Sequence, residues 1–194
     1  MLEEQHPLVG WSDVANSPEM VETIKKNRRS AMGWTWVFTL LFPVGFLIAG
    51  LLSDEVPLSE ALIIGIGLGL LILAINLWRI AGMKKPVWDG VVMKKVEKKR
   101  YKRDNDDGSS QSYMEYIVLI RTERGKKKRI VERQRDRAMY GYLDVGDRVR
   151  YHPALETYEK YDKSKDQVIY CNVCRLRNSI RNDRCERCNS LLFK

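Results

Sequence analysis

Cys171, Cys174, Cys185 and Cys188 read C-N-V-C-(x10)-C-E-R-C, two C-x2-C pairs separated by ten residues. Each pair sets two thiolates on one tight turn. Four thiolates complete a tetrahedral zinc shell at about 2.3 Å per bond. With sulfur at every position no coordination site stays open, so the spacing predicts one structural Zn2+ per chain and not a catalytic one. A redox dithiol would want a βαβ setting, and none surrounds these cysteines. The tail holds too few apolar residues to fold alone, and a bound metal would supply the missing stability.

The second group able to do chemistry is electrostatic. Lys94, Lys95, Lys98, Lys99, Arg100, Lys102 and Arg103 form one basic run, and Lys126, Lys127, Lys128 and Arg129 form another. Three uses compete: a solvated hairpin charged to protect its edges, a surface for anionic lipid headgroups, or a nucleic-acid contact. Tyr101 is the one ring among the basic positions of the first run, which is poor interleaving for base stacking. No catalytic constellation accompanies these charges. His6 and His152 stand far apart, His152 precedes Pro153 at an expected strand end, and no Walker loop, G-x-S-x-G or H-E-x-x-H occurs. The expectation is a protein that is not an enzyme.

The elements that carry these groups are hidden by the averages. The chain has 194 residues, 34 Lys+Arg against 25 Asp+Glu, and a formal net charge of +9. Its mean hydropathy is −0.37. Those values describe an ordinary soluble chain, too short for a TIM barrel of roughly 250 residues. Yet residues 32–52 and 61–78 contain no Asp, Glu, Lys or Arg. Twenty-one residues of helix span about 31 Å, the thickness of a bilayer's hydrocarbon core. Two such stretches in tandem predict a transmembrane helical hairpin over 31–83. Residues 83–194 alone carry a net +12.

Flanking charge sets the expected topology. Lys25, Lys26, Arg28 and Arg29 precede the first stretch, and Arg79, Lys84 and Lys85 close the second. The link Ser53–Glu60 carries only acids. The positive-inside rule therefore predicts a multi-pass cell-membrane protein with both termini in the cytoplasm. That compartment is reducing, which favours metal ligation over disulfides. Trp34, Trp36 and Trp78 fall near the cytoplasmic ends, where interfacial indoles belong. Gly65 and Gly69 form a G-x-x-x-G face for close helix packing, either on the first span or on another subunit. Pro43 is expected to kink the first span. No ionisable residue stands mid-span, which argues against a transporter or channel acting alone. Ser17-Pro18-Glu19 reads as a helix start. A short amphipathic helix in the N-terminal segment 1–30 should lie on the leaflet or run into the first span.

After Pro86 the pattern turns to period two. Val87–Met93, Met114–Arg121, Arg129–Val131 and Leu143–Tyr151 read as strands or turns feeding them. The Asp104–Ser112 stretch reads as a loop, and Glu132–Met139 as a short helix. Four or five short strands predict a small closed barrel of OB or SH3 type over 86–165. The fold class is then a membrane α-helical hairpin, a small all-β barrel, and a zinc ribbon over 168–194.

Two resemblances bear on this plan. Val145 to Tyr151 (V-G-D-x-V-x-Y) and Asp89 to Val92 (D-G-V-V) resemble the cytoplasmic OB-fold domains of NfeD-like proteins, which implies an interaction or scaffold module. The tail resembles the double-knuckle zinc ribbons of bacterial two-span membrane proteins. The four cysteines match their spacing, Asn178 falls where such ribbons often have Asn, and Leu191-Leu192 follows the second knuckle. The tail departs in having Arg175 and Asn189 after the knuckles, where Gly is common. A membrane-anchored accessory subunit with a protein partner or oligomer contact is the expected function. A nucleic-acid or ribosome binder is an alternative, and a regulator acting through the Gly65/Gly69 face is another.

Overall fold

The computed structural model describes residues 8–52, 57–103, 110–133 and 137–194. They divide into two compact units: residues 17–85, and residues 86–194 together with the segment that ends at Asn16.

The first unit is an antiparallel helix pair, α1 (Pro18–Leu52) and α2 (Leu58–Gly82). Ser17 starts α1 as its residue type predicts, its Oγ accepting from the Met20 amide at 3.2 Å. The N-terminal helix runs directly into the apolar stretch, and α1 continues through Pro43 as one 35-residue element. Both helices are long and apolar enough to cross a membrane. Their apolar windows are only 6% and 17% buried, which is unlike the core helices of a soluble protein. Ile63, Leu52 and Trp78 are 71%, 84% and 79% exposed.

Gly65 and Gly69 make the close contact between the helices. A Cβ at Gly65 would stand 2.8 Å from Phe46 Cβ, and one at Gly69 would stand 2.8 Å from the Thr39 carbonyl oxygen. The glycine face is therefore filled by α1 of the same chain, around Thr39, Pro43 and Phe46. Thr35 and Thr39 are buried along α1 and return their hydroxyls to the Ala31 and Thr35 carbonyls at 2.8 Å, so they bring no unpaired donor.

The second unit is built on five antiparallel strands in the order β3-β2-β1-β4-β5. These are β1 (Trp88–Arg103), β2 (Ser110–Thr122), β3 (Lys127–Arg133), β4 (Arg148–His152) and β5 (Thr157–Lys160). The sheet is open: barrel closure is not found, which corrects the expected OB or SH3 type. Chain lengths give the reason. β1 pairs with β2 along 13 positions but with β4 only from Trp88 to Val91, and β5 has four residues. β1 and β2 thus extend as a long ribbon past the short strands they would have to close upon. The charged run Lys94–Arg103 is the continuation of β1, beyond a bulge between Val92 and Lys94, and pairs with β2 as a long hairpin. Of the loop expected over 104–112, residues 110–112 already belong to β2, and 104–109 lie outside the described residues.

One face of the sheet carries the core. Val92, Val118, Ile120 and Val149 pack with Tyr142 and Leu143 from the end of α3 (Ala138–Tyr142). The short helix expected over Glu132–Met139 lies later in the chain, because Glu132 completes β3. Its carboxylate accepts the Met139 and Tyr140 amides at 3.0 and 2.7 Å, satisfying donors of the first helical turn. Residues 134–136 lie outside the described residues.

The opposite face is covered over β4 and β5 by the N-terminal segment, which pattern reasoning had placed apart from this unit. Val9 bridges Asp162, the Gly10 amide donates to the Tyr161 carbonyl at 2.9 Å, and the Lys163 amide donates to the Leu8 carbonyl at 2.7 Å. Trp11 lies 4.9 Å from the Tyr161 ring and 4.3 Å from the Arg150 guanidinium. The segment that follows β5, Tyr161–Lys163, is thus paired by a strap of the same chain.

Candidate metal centre

The tail folds as two matching turns joined by the small hairpin β6 (Val168–Tyr170) and β7 (Arg177–Ser179). In the first turn the Arg175 amide donates to the Cys171 carbonyl at 2.9 Å. In the second the Asn189 amide donates to the Cys185 carbonyl at the same distance. The return bonds match too, Cys171 N to Leu176 O and Cys185 N to Ser190 O, both 2.9 Å. Arg175 and Asn189 sit at φ 60° and 57°, the left-handed conformation that Gly usually supplies after such a knuckle. Arg175 therefore adopts the required geometry despite its Cβ. Its guanidinium is anchored on the Glu156 carbonyl at 3.1 Å.

The four sulfurs converge. Cys171 Sγ is 3.6 Å from Cys188 Sγ, Cys174 Sγ is 3.5 Å from Cys185 Sγ, and all four lie within 4.8 Å of one another. A tetrahedron with bonds of about 2.3 Å has edges of roughly 3.8 Å, so the spacing suits one metal ion held by all four. The Val173 and Cys174 amides point at Cys171 Sγ, each at 3.4 Å, as donors that favour a thiolate. Burial pushes the Cys171 thiol up to about 12 when no metal is present to hold it as thiolate. Burial also opposes ionisation of Cys185, but the Cys188 and Arg187 amides outweigh it and bring that thiol down to about 6.

Asn178, on β7, ties the two knuckles together. It is 3% exposed, donates from Nδ2 to the Leu176 carbonyl at 2.7 Å, and accepts the Glu186 amide on Oδ1 at 3.0 Å. Nδ2 also lies 3.7 Å from Cys185 Sγ. One side chain thus fixes the backbone behind both cysteine pairs and touches a ligand sulfur. The ribbon's own core is small: Ile169, Cys171, Cys185 and Leu192.

The basic positions do not converge in this way. Register divides them between the two faces of the sheet. Lys94, Lys98, Arg100 and Lys102 of β1 share the face away from the core with Lys127 and Arg129 of β3. Lys95, Lys99 and Lys128 project from the core side, where Lys95 meets Asp144 at 3.3 Å and lies 4.8 Å over the Tyr140 ring. Lys126 sits in the β2–β3 turn, and Arg103 ends β1. Arg121 and Arg133 join the outer face, though neither belonged to a basic run. Their strand parity, read with the alternation of β2 and β3, was the signal.

A buried ionic group lies elsewhere, under the strap. The Glu159 carboxylate has no exposure and receives the Ser12 amide at 2.6 Å, His152 Nε2 at 2.9 Å and Lys163 Nζ at 3.5 Å. Lys163 Nζ also donates to the Gly10 carbonyl at 3.1 Å, and the Phe193 ring lies 4.8 Å from the His152 ring, tilted by 52°. Burial lowers the Lys163 ammonium below the usual lysine range, with Glu159 pulling the other way. Nothing in the sequence marked Glu159 or Lys163 as buried, since the strap residues that close over them, Ser12 and Gly10, lie 147 and 153 positions away.

No curated protein and no solved structure matches the chain, so the likeness to NfeD-like proteins is not among the matches. The stretch that does match is the sheet itself from its first strand to the end of β4, without the apolar helices or the cysteines: residues 83–156 match the family model described as Domain of unknown function (DUF7489).

Proposed function

We infer that this chain is a non-catalytic, membrane-anchored interaction module, an accessory or scaffold subunit whose cytoplasmic body is stapled by one structural zinc. The observation that carries this reading is the strap. Leu8 to Ser12 bond to residues 159–163, and α1 and α2 lie between them in sequence. Both ends of the apolar hairpin therefore enter the same folded unit. If the helices span a bilayer, their outer flanks lie on one side of it, as an even number of spans requires. Positive flanks around an acidic link make that side the cytoplasm.

Cys171, Cys174, Cys185 and Cys188 would hold the zinc, which lends folding free energy to a ribbon with little core of its own. A softer metal such as iron would suit four thiolates as well, but zinc is the usual occupant of a closed four-cysteine ribbon. Among the described residues, the one acid–base pairing that resembles a catalytic dyad, His152 with Glu159, has side chains 8% and 0% exposed. It meets no substrate, which supports a structural role. A partner acting through Gly65 and Gly69 would have to displace α1, so a partner is better sought on the cytoplasmic body. Affinity purification of the tagged full chain from native membranes tests the reading. The expected result is a partner at near-stoichiometric amount, lost when residues 86–194 are deleted. A protein that emerges alone and monodisperse in mild detergent contradicts it.

A further inference from the structure

We propose that the outer face of β1–β3 is a docking surface for anionic lipid headgroups, a contact separate from the helical anchor and resting on the membrane-anchored reading above. The described part of the strap covers this side of the sheet over β4 and β5. Over β1, β2 and β3 the charged side chains of the same face and Val131 reach solvent, while Val96 and Leu119 are half-buried between them.

Two cross-strand rows of charge, Lys94–Leu119–Arg129 and Lys98–Glu115–Arg133, bracket an apolar row, Val96–Ile117–Val131. Val131, at the β3 edge, is 46% exposed, whereas Ile117 at the centre of the row is 8% exposed, so the row offers the bilayer its rim. Arg100 and Lys102 continue the charge toward the far end of the ribbon. Glu115 is the one acid in those rows, and Arg100 Nε lies 3.1 Å from it. Among the described residues, the cations there face no comparable number of carboxylates. Lysines that only guard an edge strand need no apolar row between them. A row of aliphatic side chains between rows of cations suits an interface where phosphates meet acyl chains.

Nucleic acid is the competing polyanion, and the face suits it less. Single-strand binding uses open aromatic planes for stacking. Tyr113 is the one ring on these rows, and the Arg133 guanidinium lies 5.2 Å over it. Tyr101 projects from the opposite face. Chain connection favours lipid as well. Five residues, Met83–Val87, join α2 to β1, and five residues reach at most about 17 Å. The sheet unit as a whole is thus tethered within a short reach of any bilayer that the helices enter.

The test is lysine acetylation rates, read by mass spectrometry, on the full chain in nanodiscs. One set holds only phosphatidylcholine, the other about one-third phosphatidylglycerol. Lys127 and Lys128 are an internal pair, adjacent in sequence and on opposite faces. In anionic discs Lys94, Lys98, Lys102 and Lys127 are expected to react roughly threefold or more slowly than in neutral discs, with Lys128 and Lys165 unchanged. About 0.5 M salt, which cuts screening lengths to roughly 4 Å, is expected to erase the difference. Equal rates in the two discs overturn the proposal and leave the anchor standing. Protection by a single-stranded oligonucleotide in neutral discs, without protection by anionic lipid, overturns it in favour of nucleic acid. A chain that fails to enter either disc overturns the membrane-anchored reading itself.

Discussion

Purified wild-type protein is expected to carry close to one zinc per chain, and Cys185→Ser is expected to lose it. Cys185 is 2% exposed and sits in the ribbon core between Ile169 and Leu192. It is also the thiol that the second knuckle's amides bring down to about 6. Serine offers a poor ligand to zinc, and the remaining three sulfurs leave an open position. Structural zinc in small ribbons contributes on the order of 10 kcal/mol of apparent binding free energy, and that energy is folding free energy. The four buried residues of the ribbon core cannot replace it. The variant should therefore show metal well below one per chain by elemental analysis, with protease cleavage appearing beyond Val168. The sheet core of Val92, Val118, Ile120 and Val149 lies outside the ribbon and should keep its amide-exchange protection. Metal content unchanged in Cys185→Ser would contradict the four-sulfur site. So would a wild-type protein with far less than one metal ion.

Glu159→Leu is expected to be the most destabilising single change in the sheet unit. It removes the acceptor for the Ser12 amide, for His152 and for Lys163 together. Lys163 is 1% exposed and would be left as a buried cation beside an apolar side chain. Breaking one partner of a buried ion pair typically costs about 3–5 kcal/mol. In a domain of this size each kcal/mol lowers Tm by roughly 4 °C or more. The first structural consequence should be release of the strap, read as faster amide exchange at Gly10 and Ser12. The double variant Glu159→Leu with Lys163→Met removes both charges, and should recover much of the lost stability. If the double variant is no more stable than the single one, the cost is one of shape and not of the stranded charge.

What the sequence disclosed followed the range of each interaction. The cysteine ligands were legible because each knuckle closes within four residues and the spacing alone sets the geometry. The left-handed turns after them were legible as a demand, and Arg175 meets it at φ 60° although its side chain made it a doubtful candidate. Gly65 and Gly69 were legible as a packing face, but whether α1 or another chain fills it depends on a contact between helices. The strap was not legible, since Ser12 finds its carboxylate 147 residues away and no local pattern announces it. Barrel closure was read from strand number. It failed because alternation reports which side a residue takes and not how far a ribbon extends past its neighbours. How far the charged run extends as strand was not legible for the same reason: Lys94 to Lys102 are held by their cross-strand partners, Leu119 to Gln111, and those are invisible in the run itself.

The central claim is that one cytoplasmic body is built from both flanks of a membrane hairpin. Its most direct measurement is protease accessibility of an epitope placed before Leu8 and another after Lys194, in intact cells and in inverted membrane vesicles. The account predicts that both epitopes survive in intact cells and both are removed in inverted vesicles. Epitopes cleaved on opposite sides, or both cleaved from outside intact cells, would contradict it.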